Sequence, residues 1–328
     1  MQRSLVGSEM CIRDRDCTMK YPWYYTTLGW ILNGMAHLPF RILYIISDVL
    51  FVIVYYIARY RRDVVKENIA SSFPEMQEKE QKKVIRQFYR HFTDYFVETI
   101  KLAHITDEEM RHRMEFVGTE MIDRYFDEGR SLAMYFSHCG NWEWAPSITL
   151  WTRHKPSEET VFAQVYRPLT NHWFDAYFLK LRSRFGSVSY DKRLVFRDLL
   201  RLRRDGKLSI TGFMSDQKPS HNDTVHVLKF LNHPTAIITG TETIVRKLDL
   251  VAIYWDMEKL SRGHYRITAR LITDNAASLP QFAITDTYTR MLETTILRQP
   301  SIWLWSHRRW KNKVDYSDNN PAETRHNG

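Results

Sequence analysis

Cysteine, glycine and proline are all scarce in this chain. Three cysteines in 328 residues (Cys11, Cys17 and Cys139) cannot build a disulfide framework, so nothing in the sequence demands an oxidising compartment. Only 12 Gly and 11 Pro exclude collagen-like and low-complexity architectures. There is no internal repeat. A GxxxxGK phosphate loop, a GxGxxG turn, an HExxH helix and paired Cys/His spacings are all missing, so no nucleotide, nicotinamide or other cofactor and no metal is expected.

What is present is ordinary globular balance, with 44% hydrophobic and 26% charged residues, and enough length for one large or two modest domains. Positive charge dominates, giving a net charge of +9. That sign favours anionic partners: nucleic acid, anionic lipid head groups or an acidic carrier protein. Aromatics reach 14%, with 10 Trp and 18 Tyr, residues that favour membrane interfaces as well as cores. The nucleic-acid reading finds no RNP-like, zinc or helix-turn-helix signature, and the apolar N-terminal segment argues against it. No nucleic-acid partner is therefore expected.

Residues 1–18 carry arginines but no apolar run, which excludes a cleaved signal peptide. The stretch SLVGSEMCIRDR resembles adapter-derived sequence. The segment is read either as non-native, with the biological start at Met19, or as a natural disordered tail. From Leu28 to Ile57 the chain is rich in Leu, Ile, Val, Phe, Tyr and Trp, and the window Leu38–Ile57 has about the length of a bilayer span. Arg41 and Asp48 lie inside it on one helical face, however. A charge at the bilayer centre costs a few kcal/mol, so a tilted or half-inserted helix with its polar face turned to the protein competes with a clean span. A buried core helix is the remaining alternative. The basic ARYRRDVVK that follows marks a cytoplasmic flank. Residues 19–62 thus read as a membrane-anchoring segment, 63–315 as the catalytic domain and 316–328 as a polar, disordered tail.

Residues 63–112 read as helices, one of them striped by Val84, Phe88, Phe92, Phe96 and Ile100 at i, i+4 spacing, which predicts core packing. Beyond residue 114, strand-like runs at 114–118, 131–137, 160–166, 208–213, 249–257 and 264–272 alternate with helical stretches near 118–128, 141–153, 170–184, 193–205, 236–247 and 284–298. This alternation predicts a mixed α/β fold, a largely parallel sheet flanked by helices. The short Gly-containing loop between the last two strands predicts an antiparallel pair.

The segment AMYFSHCGNWEWA carries the most chemistry. It places His138 at the carboxyl end of a strand, where sites gather in α/β sheets, and Glu143 on the first turn of the following helix. A carboxylate turned back onto one ring nitrogen would fix the tautomer and leave the other as general base, suited to deprotonating a hydroxyl that attacks an acyl carbon. Gly140 allows close backbone approach to a ligand. The spacing alone is common in a chain with 13 His. Cys139 is a poor nucleophile candidate, because a sequence neighbour such as His138 cannot activate it side chain to side chain. It reads as buried and inert.

HCGNWEW resembles the bacterial lipid A biosynthesis acyltransferases, the late lauroyl/myristoyl family within the H-x4-D/E acyltransferase superfamily. The resemblance runs from about Met19 to Lys313 through further blocks in order: YRRDVV before FPE, VYRP (165–168), MSDQKPS (214–220), FLNHPTAIITGTE (230–242) and WLWSHRRWK (303–311). It implies a glycerolipid-acyltransferase-like fold and catalytic roles for His138 and Glu143. It implies substrate contacts from Asn141, Arg167, Asp216, Gln217, Arg308 and Arg309, with 230–242 lining an acyl groove. It also implies an acyl-acyl carrier protein donor, a lipid A precursor or related glycolipid acceptor, and residence on the cytoplasmic face of the inner membrane. Lys218 and Ser220 beside the Asp-Gln block, and NKVDY after the closing block, depart from the family pattern and leave acceptor identity and acyl length open. An acidic carrier suits the basic run KRLVFRDLLRLRRDGK (192–207), which otherwise reads as a solvated face.

Overall fold

The computed structural model describes residues 21–219, 226–311 and 313–314. The terminal segments at 1–18 and 316–328 lie outside these.

The apolar N-terminal run forms two helices rather than one: α1 (Trp23–His37) and α2 (Phe40–Val52), the latter extended by a π-helical turn over Ile53–Ile57. Pro39 stands between them and lacks the N–H that a continuous helix would need. Phe40–Ile57 is, among the described residues, the one helix long and apolar enough to cross a bilayer, and only 28% of it is buried. Ser47 and Asp48 turn toward the protein, whereas Arg41 is exposed. Ser47 donates to Asp94 at 2.8 Å, and Asp48 pairs with Arg262 at 2.9 Å. Ile42, Ile45, Val49, Val52, Ile53 and Ile57 are exposed.

Two helices follow, α3 (Arg62–Ser72), which ends before Pro74, and α4 (Glu78–Lys101). The buried face of α4 differs from the predicted stripe. Phe88 is buried, but Phe96 is exposed, and the inward positions include Ile85, Tyr89, His91, Asp94, Val97 and Glu98. The long polar groups are accommodated because α2 and the β-sheet supply them with partners that no local pattern reveals.

After α5 (Asp107–Arg113) the chain builds a seven-stranded sheet in the order β1-β9-β8-β2-β5-β3-β4. Its strands are β1 (Met114–Val117), β2 (Leu132–Phe136), β3 (Thr160–Tyr166), β4 (Val188–Asp191), β5 (Leu208–Met214), β8 (Val251–Ser261) and β9 (His264–Thr273). All neighbours are parallel except β8 and β9, which pair antiparallel as predicted. The connecting helices are α6 (Thr119–Asp127), α7 (His172–Arg182), α8 (Val195–Arg204), α9 (Gly240–Leu248) and α10 (Ala283–Arg298). Strand β2 is buried at all five positions, as a central parallel strand covered on both faces must be. A separate hairpin of β6 (Val227–Phe230) and β7 (His233–Ala236) turns at Leu231 and Asn232, both with positive φ, as a two-residue hairpin of this hand requires.

The helix expected over 141–153 is a 3-10 helix, Trp142–Leu150, with Pro146 inside it. Proline removes one hydrogen bond from the helical ladder and favours this shorter, tighter element.

Candidate active site

Sheet register creates the site. Phe136 lies opposite Met214 in the parallel pair β2–β5. Two residues beyond those strand ends stand His138 and Asp216, side by side although far apart in sequence. Asp216 Oδ1 is 2.8 Å from His138 Nδ1, and the His138 backbone N–H donates to Asp216 Oδ2 at 3.0 Å. Trp303 Nε1 donates to the same oxygen at 2.9 Å. Burial alone would raise the Asp216 carboxyl, but the imidazole, its amide and Trp303 outweigh it and hold the group at about 2. An ionised carboxylate only accepts, so Nδ1 carries a proton and Nε2 of the neutral ring is an acceptor. The Gln217 amide lies 3.1 Å from Nε2 and donates to it. Trp142 packs edge-on against the imidazole.

The closing segment braces this arrangement. Leu304 N–H donates to His138 O at 3.1 Å, and Gly140 N–H donates to Ile302 O at 2.9 Å. Gly140 has φ +59°, and a Cβ there would meet Met257 Cγ at 2.7 Å. The missing side chain therefore admits β8, not a ligand as the sequence suggested. Cys139 is buried, and burial raises its thiol, which fits the inert reading.

Glu143 does not hold the imidazole. Its carboxylate is buried and paired with Arg182, whose Nε and Nη2 donate to its two oxygens at 2.8 and 2.6 Å. Burial would lower the Arg182 guanidinium, and the Glu143 charge more than reverses this. The tight 3-10 turn directs Glu143 to α7, and the orienting position expected for it is filled by Asp216.

A cavity of about 690 Å³ opens beside His138. Its inner wall is apolar and includes Phe136, Ile148, Phe162, Ile210, Phe213 and Trp255. The exposed cations Arg167, Lys192, Arg193 and Lys218 also line it, with Gln217, Glu143, Arg182 and His307. Burial pushes the His307 imidazole down to about 4, so it is neutral at physiological pH. Of the 230–242 stretch expected to line an acyl groove, Ile238, Gly240 and Thr241 do so.

Sequence-predicted residues therefore fall into three groups. His138, Glu143, Arg167 and Gln217 line the cavity, with Asp216 directly behind His138. Asn141 is fully buried and donates to Glu98 at 2.8 Å, off the cavity wall. Arg308 is exposed away from it, and Arg309 is buried with Nη2 donating to Ala236 O at 2.7 Å. Burial pushes the Arg309 guanidinium down to about 10, which still leaves it cationic at neutral pH. Two participants escaped sequence reasoning. Trp303 sits within the WLWSHRRWK block and was visible there without a role. Arg182 had no local signal at all.

The family model described as bacterial lipid A biosynthesis acyltransferase matches residues 12–312, nearly the whole chain. No match is found among curated proteins.

Proposed function

The chain belongs to the bacterial lipid A biosynthesis acyltransferases, and on that premise we propose that it moves a fatty acyl chain from an acyl carrier protein thioester to a hydroxyl of a lipid A precursor, with His138 as general base. The observation that carries this reading is the His138 Nε2 edge at a cavity that is apolar within and cationic outside, with Asp216 fixed on the opposite ring nitrogen.

The steps follow from those groups. His138 Nε2 takes the proton of the acceptor hydroxyl while its oxygen attacks the thioester carbonyl. Asp216 stabilises the imidazolium that forms and keeps the ring in the productive tautomer. The oxyanion of the tetrahedral intermediate faces the Gln217 amide and Arg167, groups able to donate to developing negative charge. Collapse forms the ester and expels the thiolate, which takes the proton back from Nε2. The apolar wall receives the acyl chain, and the exposed cations receive phosphate groups of the lipid or the acidic carrier. Glu143 acts on the cavity wall through Arg182 rather than on the imidazole. The exposed apolar face of α2 lies in the cytoplasmic leaflet of the inner membrane, with the basic residues that follow it at the surface.

Mass spectrometry of lipids from cells carrying wild-type or His138→Ala protein tests this. The expected outcome is lipid A one acyl chain short in the variant. A deficit in another phospholipid or glycolipid would overturn the acceptor, and normal acylation by His138→Ala would overturn the mechanism.

A further inference from the structure

The loop that carries His138 is held from behind by α4, which also holds the apolar helix α2. Glu98 is fully buried between them. Its Oε1 accepts from Tyr44 of α2 at 3.1 Å, and its Oε2 accepts from Asn141 of the loop and from Tyr265 of β9, each at 2.8 Å. Trp144, in the first turn of the 3-10 helix that follows that loop, donates through Nε1 to the Glu98 carbonyl at 3.3 Å. A second route lies along the same stripe of α4. Ser47 of α2 donates to Asp94, Lys259 contacts both Asp94 and His91, and His91 Nε2 donates to the Gly140 carbonyl at 3.2 Å. Arg262 ties Asp94 to Asp48 of α2.

This arrangement is costly for stability alone. The direct partners of the Glu98 side chain are neutral hydroxyl and amide donors. A buried carboxylate carries a desolvation penalty of several kcal/mol, and apolar replacements of buried charges are often at least as stable. What an acceptor with several fixed donors does supply is geometry. Each bond has a defined direction, and together they set Asn141, and hence the His138–Glu143 loop, relative to α2.

We propose that Tyr44, Glu98 and Asn141 form a hydrogen-bonded strut that carries the seating of the apolar helix α2 to the loop holding His138, with Glu98 as its positioning residue. The face of α2 opposite Tyr44 and Ser47 is the exposed apolar one, bearing Ile42, Ile45 and Val49. Contact of that face with lipid is thereby coupled to the catalytic loop. The effect on turnover rests on His138 being the base. The coupling itself does not.

The test uses the full chain in phosphatidylglycerol–phosphatidylethanolamine vesicles and compares wild type with Tyr44→Phe and Glu98→Gln. Tyr44→Phe removes one hydroxyl and should leave the melting temperature nearly unchanged while amide exchange over residues 138–144 quickens about tenfold. Its kcat should fall about fivefold with KM held, since the loop rather than substrate contact is disturbed. Glu98→Gln replaces an acceptor oxygen by a donor and should exaggerate both effects. Wild-type exchange and kcat in Tyr44→Phe would overturn the strut, and that variant decides the matter even if Glu98→Gln fails to fold. Loss of stability in Glu98→Gln with wild-type exchange in Tyr44→Phe would reduce Glu98 to a packing residue and overturn it equally. Normal turnover in His138→Ala would remove the base assignment while leaving the exchange result to stand or fall by itself.

Discussion

Two buried carboxylates flank the loop that carries His138, and their partners differ. Asp216 lies on the imidazole and is drawn down to about 2 by it. Glu143, five residues from His138 in sequence, turns away and forms a two-pronged pair with Arg182 of α7. Spacing along the chain suggested Glu143 as the orienting partner. Register across the sheet selects Asp216, because β2 and β5 are parallel neighbours and end level with each other. A short local motif can thus lie at a cavity while its nearest carboxylate pairs with an arginine of the wall and not with the histidine.

Substitutions should separate the two. The larger effect is expected from Asp216→Asn, which leaves the shape but removes the charge that fixes the tautomer. Its kcat should fall roughly 10³-fold with little change in KM. Glu143→Gln should lower kcat less, about 10- to 100-fold, and lower stability more, about 3 kcal/mol, because Arg182 is left without its counter-charge. Adding Arg182→Gln to Glu143→Gln should recover much of that stability, whereas in the Asp216→Asn background it should lower stability further, because it leaves the buried Glu143 without its counter-charge. Equal recovery in both backgrounds, followed by thermal unfolding, would erase the distinction.

Acid titration sharpens the contrast further. The folded-state value for Asp216, about 2, lies below the ordinary 3.8. Its contribution to stability is therefore complete above about pH 4 and is lost as pH falls through about 2, amounting to roughly 2 kcal/mol. Asp216→Asn should flatten the decline of unfolding free energy across that window. An unchanged slope would mean that the carboxylate is not held by the imidazole.

The smallest effect concerns the rim. Reversing the exposed Arg201 and Arg204 of α8 to Glu should raise KM for a carrier-protein thioester about fivefold and leave a small thioester mimic unaffected, since long-range attraction acts on the carrier. Added salt should weaken wild-type use of the carrier in the same direction, because exposed charges are screened beyond about 8 Å at physiological ionic strength. Equal changes for both donors would assign α8 to folding or lipid contact instead.

Much of the architecture could be read in the sequence because it is periodic. The six expected strand segments fall on β1, β2, β3, β5, β8 and β9. Strand β4 was not legible: it is a four-residue edge strand, half-buried throughout, with no alternation. The β6–β7 hairpin was not legible either, since Pro234 breaks its pattern. His138 stood out through its place after a buried strand. Its partnership with Asp216 could not be read from residues alone, because it depends on which strands become neighbours. The partner of Asn141 was hidden for a related reason. A polar residue beside His138 looks like a substrate contact until Glu98, more than forty residues earlier, is found against it.

The central claim is that Asp216, not Glu143, fixes the His138 tautomer. Nitrogen-15 NMR of the histidine side chains tests it directly, by following the proton on His138 Nδ1 in wild type, Asp216→Asn and Glu143→Gln. The account predicts a protonated Nδ1 with a low-field proton resonance in wild type, retained in Glu143→Gln and lost or shifted upfield in Asp216→Asn. Retention of that resonance in Asp216→Asn together with its loss in Glu143→Gln would contradict it.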